Sequence, residues 1–250
     1  MEKTNKMELE MYKGKMPDVL AVIDMVNGFV KGGNMCDPYV QHIIAENVKL
    51  TKAFLEAGKR VIFVREVHGK NCAEFKKFPE HCVAGTWEAE LIDELKVFQN
   101  HPNAIVVDKN NNNAALMPKF QNEIKKVKSG QKIVFTGVAT DICVQESAIT
   151  TGTLLDEYNI EAEIIAPTNA METYNIPGVH ERDEWNQMAY RFMKQKGVKV
   201  VKGLELTKLK DFKTDKVQAI TVNPPRRKMN KNVMPKQIIG FPEDLNVWGN

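Results

Sequence analysis

Reactive side chains follow several short apolar runs in this chain. Asp24, Lys109 and Cys143 each come at or shortly after the end of such a run. A thiolate is a good nucleophile towards a carbonyl carbon, and a position near the start of a helix favours the thiolate form. Burying a carboxylate or an ammonium without a partner is costly, so we expect Asp24 and Lys109 to pair close to the thiol.

These three groups together suit nucleophilic catalysis on an amide. Asp24 would accept the thiol proton of Cys143 and later deliver it to the leaving amine. Lys109 would keep that carboxylate ionised and help to stabilise negative charge. Taken alone, Cys143 is also explained as a small buried apolar residue, Asp24 as a turn cap and Lys109 as a solvated cation.

A second group of candidate ligands lies in a long polar segment, residues 66–86. Its residues Glu66, His68, Glu74 and His81 supply two carboxylates and two imidazoles. These ligand types suit Zn, Fe or Mn. Polar loops also carry Glu and His without binding a metal, so the spacing alone leaves a solvated loop as the alternative.

The apolar runs and the segments between them predict the fold. Runs of the kind that suits strands buried on both faces occupy residues 19–23, 61–64, 104–107, 133–135, 162–166 and 198–201. Segments with helical spacing lie between them, at residues 43–55, 91–98, 143–155 and 183–193. This alternation predicts an α/β fold with three α/β/α layers, in which a six-stranded parallel sheet is flanked by helices. Ligands of such sheets bind beyond the carboxyl ends of the strands, where the reactive side chains lie.

Length, composition and charge limit the class of protein. The 250 residues are 43% hydrophobic and 27% charged, which is typical of a globular chain. Residues 1–15 hold neither an apolar signal core nor a membrane-spanning stretch, and the four cysteines are interpreted as thiols, so we expect a cytoplasmic protein. The net charge is only +3, without a basic stripe and interleaved aromatic residues in the catalytic part. We therefore expect neither nucleic acid nor a membrane as a partner.

The alternation of strands and helices fades at the carboxyl end of the chain. We expect residues 1–205 to form one principal domain and residues 206–250 to form a C-terminal extension that is first basic and then apolar. We hypothesise that this extension packs on a neighbouring subunit in a homo-oligomer. Packing on its own domain is the alternative.

Three sequence blocks resemble the isochorismatase-like cysteine hydrolases and occur in the order of that family. They are VLAVIDMVNGF at residues 19–29, VVDK at residues 106–109 and GVATDICV at residues 137–144. The resemblance covers roughly residues 17–203 and implies the fold predicted above, with a catalytic triad of Asp24, Lys109 and Cys143. It also implies a cis peptide bond between Val138 and Ala139. The backbone amides of Ala139 and Cys143 would then face the developing oxyanion.

Within this family, residues 66–86 are similar to the metal loop of nicotinamidases. The similarity lies in an acidic-x-His start and in the later segment FPEHCVAGT at residues 78–86. It implies one divalent metal ion, with Zn expected and Fe or Mn as alternatives, and no organic cofactor. The implied ligands are Glu66, His68, Glu74 and His81.

Two positions depart from the usual nicotinamidase pattern. The first ligand is usually Asp, so the longer Glu66 requires an adjustment of the backbone around the metal. Either Cys72 or Glu74 matches the middle ligand, and we favour Glu74 because of its seven-residue spacing to His81.

The resemblance also implies a substrate, which is a small aromatic carboxamide. Phe29 and Phe78 match positions that line the pocket in the family. Where relatives have an aromatic residue after the lysine, this chain has a run of asparagines that includes Asn112, so one wall is expected to be polar or missing. The run is either an ordinary loop or a substrate contact. The expected reaction is hydrolysis of nicotinamide to nicotinate and ammonia through a thioester.

Two other functions remain open on the sequence alone. The same triad would hydrolyse another small amide, such as a carbamoyl, ureido or pyrazinamide-like compound, if the asparagine-rich wall selects a different shape. A non-catalytic binding or assembly protein on the same fold is the third hypothesis.

Overall fold

The structure, a computed structural model, describes residues 7–206. Strands and helices alternate along this part of the chain. The strands are β1 (Met11–Gly14), β2 (Val19–Ile23), β3 (Arg60–Glu66), β4 (Ala104–Lys109), β5 (Lys132–Val138), β6 (Glu163–Pro167), β7 (Met171–Glu172), β8 (Lys199–Val201) and β9 (Gly203–Leu206). The helices are α1 (Asn27–Val30), α2 (Ile44–Glu56), α3 (Asp93–Lys96), α4 (Pro118–Ile124), α5 (Gln145–Glu157) and α6 (Arg182–Gln195).

The main sheet is parallel and has the strand order β4-β3-β2-β5-β6-β8. The predicted α/β fold is therefore confirmed, and each of the predicted strands lies in this sheet. The predicted number of six is one too low, because the two-residue strand β7 also pairs with β5. Strands β1 and β9 form a separate two-stranded sheet. Such short pairings leave little periodicity in the sequence.

The sheet separates two hydrophobic cores, which gives the three layers. In β2, Leu20 and Val22 point to one core, together with Leu50 and Phe54 of α2. The alternate residues of β2 point to the other core, where they meet side chains of α4, α5 and α6. Because neighbouring side chains of a strand point to opposite faces, an apolar run such as residues 19–23 needs helices on both sides.

Two helices differ from the predicted segments. The predicted helix at residues 91–98 is reduced to Asp93–Lys96, because Leu91 bridges to Val26 and the Ile92 N–H donates to the carbonyl of Met25. These contacts hold residues 91 and 92 outside the helix. The predicted helix at residues 143–155 is preceded by a π turn, Thr140–Val144, and α5 begins at Gln145. The helix α4 was not predicted, since its seven residues carry too short a pattern.

The strand register brings the carboxyl ends of four strands to one edge. Ile23 at the end of β2 lies opposite Val64 of β3 and Gly137 of β5. Glu66 lies opposite Lys109. The chain runs outward from β2 to β4 and then returns to the other side of β2 through β5. Ligand sites of parallel sheets lie at such a reversal.

Gly137 allows β2 and β5 to approach closely at this edge. It has a φ of +109°, and an added Cβ would lie 1.9 Å from the carbonyl oxygen of Ile23. A side chain at this position would therefore push apart the two strands that lead to Asp24 and Cys143.

The last strand, β9, includes Leu206, so it crosses the predicted domain boundary by one residue. The remaining residues of the predicted extension, 207–250, lie outside the described residues, and its packing stays a prediction.

Among residues 7–206, no helix is both long enough and apolar enough to cross a bilayer.

Candidate active site

The thiol, the ammonium and the carboxylate predicted from the sequence lie together. Asp24 directly follows β2 with a φ of 50°, Lys109 ends β4, and Cys143 lies in the π turn after β5. Nζ of Lys109 is 2.8 Å from Oδ2 of Asp24 and 3.6 Å from Sγ of Cys143. Both charged side chains are fully buried. The structure thus brings the three residues into one cluster, as an enzyme mechanism would require.

A fourth group joins this cluster, and the sequence did not indicate it. Oε2 of Glu66 contacts the Lys109 ammonium and lies 3.7 Å from Sγ of Cys143. The sequence assigned Glu66 to the metal loop alone. The signal that connects it to the thiol is the strand register, in which Glu66 and Lys109 are cross-strand partners.

Burial and the shared ammonium determine the ionisation of the cluster. Burial raises the pKa of Asp24 to about 7, although the ion pair with Lys109 opposes this shift. Burial alone would also raise the pKa of Glu66, but Lys109 and His68 outweigh it and lower that pKa to about 2. Burial holds the pKa of the Cys143 thiol well above its usual value, against the attraction of Lys109. At neutral pH Cys143 is therefore a thiol, which would need a base in order to act as a nucleophile.

The four predicted metal ligands also converge. One ligand atom from each of Glu66, His68, Glu74 and His81 lies within 4.8 Å of the others. The Nε2 atoms of the two histidines are 3.2 Å apart, and Nε2 of His68 is 3.0 Å from Oε1 of Glu66. Burial lowers the pKa of His81, whereas Glu66 and Asn110 outweigh burial and raise the pKa of His68.

The hydrogen bonds around the two imidazoles determine the orientation of each ring. Nδ1 of His68 lies 2.8 Å from Oδ1 of Asn110, and Nδ1 of His81 lies 2.7 Å from the carbonyl of Pro79. An amide oxygen and a carbonyl only accept, so each Nδ1 carries a proton, and in the neutral form of each ring the lone pair of Nε2 points inward. Oε1 of Glu66 is buried and faces Nε2 of His68, so with a neutral ring neither atom has a proton to donate to the other. Two lone pairs and two carboxylates facing each other fit a divalent cation.

The structure also distinguishes the two candidates for the middle ligand. Glu74 lies in the ligand cluster, whereas Sγ of Cys72 is 3.2 Å from Nδ1 of His68. This nitrogen is on the outer side of the ring, away from His81. The geometry therefore favours Glu74. Asn110, from the asparagine run, accepts a hydrogen bond from His68 and helps to orient its ring. The sequence did not indicate this contact.

A cavity opens beside the thiol and the ligand cluster. It encloses about 550 Å³, part of it open to solvent. The predicted residues that line it are Phe29, Phe78, Asn112, Ala139, Cys143, Glu66, Glu74 and His81. The thiol is therefore not sealed in apolar packing. The peptide bond between Val138 and Ala139 is cis, as the resemblance predicted.

Several lining residues were not found from the sequence. They include Asp37, Thr173 and Tyr174. Residues 173 and 174 directly follow β7, which is too short to show periodicity. Asp37 precedes a 3-10 turn in a polar segment, so its type and spacing gave no functional signal.

The fold and this edge of the sheet define a class of protein. A parallel α/β sheet carries a cysteine and a glutamate that line one cavity, and a buried lysine and aspartate lie beside them. This is the arrangement of a cysteine hydrolase. Residues 18–203 match the family model described as the Isochorismatase domain. The chain therefore belongs to the isochorismatase family of hydrolases.

Individual relatives have low sequence identity to this chain. Nicotinamidase 1 of Arabidopsis thaliana is 29% identical over an alignment of 137 residues, which covers 50% of this chain and 56% of that protein. The chain thus matches only a little over half the length of this relative. The nicotinamidase PncA of Bacillus subtilis is 27% identical, with a TM-score of 0.59 over 74% of this chain and 99% of that chain. An N-carbamoylsarcosine amidase from Thermoplasma acidophilum shares the fold. It is 22% identical, with a TM-score of 0.56 over 74% of this chain and 96% of that chain.

Proposed function

We propose that this protein is a cysteine-dependent amidohydrolase that converts nicotinamide to nicotinate and ammonia. The observation that carries the proposal is the position of Cys143, which borders one cavity together with a cluster of two histidines and two glutamates. The similarity to nicotinamidases from a plant and a bacterium supports this substrate.

The first half of the proposed reaction forms a thioester. Asp24, whose pKa burial raises to about 7, takes the proton of the Cys143 thiol as the sulfur attacks the carboxamide carbon. The amides of Ala139 and Cys143 stabilise the oxygen of the tetrahedral intermediate. Asp24 then returns the proton to the leaving nitrogen, ammonia departs, and the acyl group remains on sulfur. Lys109 stays paired with Asp24 and limits the negative charge of the buried cluster.

The second half hydrolyses the thioester. A water molecule attacks the acyl carbon while Asp24 accepts its proton, the carbon–sulfur bond breaks, and the proton returns to the thiolate. Nicotinate leaves and the thiol of Cys143 is restored. Every reacting group that these two steps need, besides the substrate, is supplied by the chain itself and by water.

Glu66, His68, Glu74 and His81 would hold the metal ion. When bound, a divalent ion such as Zn supplies a Lewis acid for the ring nitrogen of the substrate and thereby orients the carboxamide. Phe29 and Phe78 provide apolar surface for the ring, and Asn112 provides a polar contact.

A second candidate function is hydrolysis of a different small amide on the same triad. The observation that favours it is Asn112, which lines the cavity where the family commonly places an aromatic side chain. Such a polar wall suits carbamoyl, ureido or pyrazinamide-like compounds. A non-catalytic role is disfavoured, because a buried carboxylate and ammonium beside a thiol are costly to retain in an idle site.

Ammonia release by the purified full chain tests the proposal. We expect hydrolysis of nicotinamide by the metal-loaded protein, with a decrease when a chelator removes the metal. Cys143→Ala should reduce kcat by roughly 10³-fold or more, because no other group forms the thioester. Cys36→Ala, a matched change outside the cavity lining, should retain activity.

Each other result supports a different conclusion. Full activity of Cys143→Ala would contradict the proposed mechanism. If nicotinamide is inert and other small amides react in a Cys143-dependent way, the second candidate function is correct. If no amide in a broad panel reacts, the catalytic proposal is wrong and the binding role gains support.

A further inference from the structure

Three aromatic rings are stacked behind one wall of the cavity. Tyr174 lines the cavity, and its ring lies on that of His180 at a centroid distance of 3.9 Å and an angle of 14°. His180 in turn lies on Trp185 at 4.7 Å and 11°. The Tyr174 ring is therefore supported on one face by two nearly parallel rings, so a ligand ring would stack on its other face.

Hydrogen bonds of His180 connect this stack to the turn that carries the nucleophile. Nδ1 of His180 lies 3.0 Å from the carbonyl of Tyr174, and Nε2 lies 2.8 Å from Oδ2 of Asp141. Asp141 belongs to the π turn Thr140–Val144, which contains Cys143. The position of the Tyr174 ring is thus defined relative to the thiol.

A second set of contacts holds the same segment. The Arg182 guanidinium contacts Asp37, and its Nε donates to the carbonyl of Thr173 at 3.0 Å. The N–H of Asn175 donates to Oδ2 of Asp37 at 2.9 Å. Residues 173–182 are therefore fixed at both ends. Ordering this wall on ligand binding would cost little entropy.

The phenol of Tyr174 stays neutral over the working range of pH. Burial, followed by the charge of Asp141, raises the pKa of Tyr174 to about 12. A neutral aromatic face suits stacking with a flat, uncharged ring, which gains both apolar burial and favourable ring geometry.

We propose that Tyr174 is a specificity-determining residue whose ring forms the aromatic wall against which a flat ring of the carboxamide substrate stacks. This inference rests on the proposed function for the identity of the substrate. It explains how the cavity selects a ring although the asparagine run, with Asn112, leaves the expected aromatic wall polar. In this arrangement Asp141 and His180 are positioning residues, which act through Tyr174 and through the turn of Cys143.

Binding of flat and non-flat amides to catalytically silent protein tests the proposal. Ligand-detected NMR titrations of metal-loaded Cys143→Ala protein would compare nicotinamide and benzamide with propionamide. Adding Tyr174→Ala should weaken binding of both rings about tenfold, in line with the energy of a lost stacking contact, and should change propionamide binding less than twofold. Tyr174→Phe retains the ring face and should bind within about twofold of the parent.

Two further variants separate a specific effect from a general structural one. Tyr158→Ala makes the same change at the end of α5, outside the cavity lining, and should leave ring binding unchanged. His180→Ala removes the support of Tyr174 and the partner of Asp141. In the presence of Cys143 it should raise KM for nicotinamide and also lower kcat, whereas Tyr174→Ala should act mainly on KM.

The outcomes distinguish this inference from the proposed function. The proposed stacking on Tyr174 is wrong if adding Tyr174→Ala to the Cys143→Ala protein changes the affinity for nicotinamide and benzamide by less than twofold. It is also wrong if the Cys143→Ala protein binds neither ring. Hydrolysis of nicotinamide by the wild type would then still support the function. If the wild type does not hydrolyse nicotinamide but ring binding depends on Tyr174, the wall is supported and the proposed function fails.

Discussion

The carboxylate of Glu66 connects the two halves of the candidate site, because its Oε2 contacts the ammonium of Lys109. Its other oxygen, Oε1, lies 3.0 Å from Nε2 of His68 in the ligand cluster. An aspartate, which is one methylene shorter, could not span the same two contacts from the same backbone position. The glutamate thus links the candidate metal ligands to the buried ion pair beside the thiol.

Removing the charge of Glu66 should weaken metal binding. After equilibration with limiting metal, we expect the Zn content of Glu66→Gln to be lower than that of the wild type by about tenfold or more. The reason is that an anionic ligand becomes neutral. Metal content measured by mass spectrometry on the purified protein provides the test. Glu80→Gln changes an exposed neighbour of His81 in the same way and should leave the metal content unchanged. Equal metal in both variants would remove Glu66 from the ligand set.

Glu74 and Cys72 should differ in their importance for the metal. Glu74→Gln is expected to lower Zn affinity at least about tenfold, since its oxygen belongs to the cluster. Cys72→Ala should change the affinity only slightly, because its sulfur faces the outer nitrogen of His68. Competition with a chromophoric chelator would measure both. The reverse order of the two effects would show that Cys72 is the ligand.

Lys109 should be important for stability as well as for activity. Lys109→Met leaves the carboxylates of Asp24 and Glu66 buried without their cation, and we expect a loss of about 3–5 kcal/mol in the free energy of unfolding. Lys31→Met breaks a partly exposed pair with Glu94 and should cost about 1 kcal/mol or less. Urea titrations followed by circular dichroism would compare them.

A double variant provides the control for this prediction. Adding Asp24→Asn to Lys109→Met removes one of the unpaired charges, so part of the lost stability should return and the two effects should not add. If Lys109→Met unfolds with the same midpoint as Lys31→Met, the buried ion pair does not contribute as we infer.

Gly137 should tolerate no side chain. Gly137→Ala would place a Cβ 1.9 Å from the Ile23 carbonyl, and we expect a loss of about 3 kcal/mol or more, or failure to fold. Gly130 also has a positive φ, but nothing lies within 4 Å of an added Cβ, so Gly130→Ala should cost only about 1 kcal/mol. Thermal melting of the two variants would compare them. Similar melting temperatures would mean that β2 and β5 can move apart without loss.

The sequence was sufficient for the fold class and for most of the residues at the site. Apolar runs separated by helical segments indicate a parallel sheet with two covered faces, whatever the details of packing. Parallel strands share one carboxyl edge, so Asp24, Lys109 and Cys143 were expected to meet there. The sequence blocks around these residues are contiguous, which is why the family resemblance could be recognised without coordinates.

Other features depended on the tertiary structure. The contact between Glu66 and Lys109 follows from the register of β3 and β4, and the choice of Glu74 over Cys72 follows from the direction in which each side chain points. The segment that carries Tyr174 is held by contacts between residues distant in the chain, such as the one between His180 and Asp141, which are 39 residues apart. Hydrophobic periodicity reports which face of an element is buried. It does not report which distant polar partner that element meets, and here those partners shape the cavity.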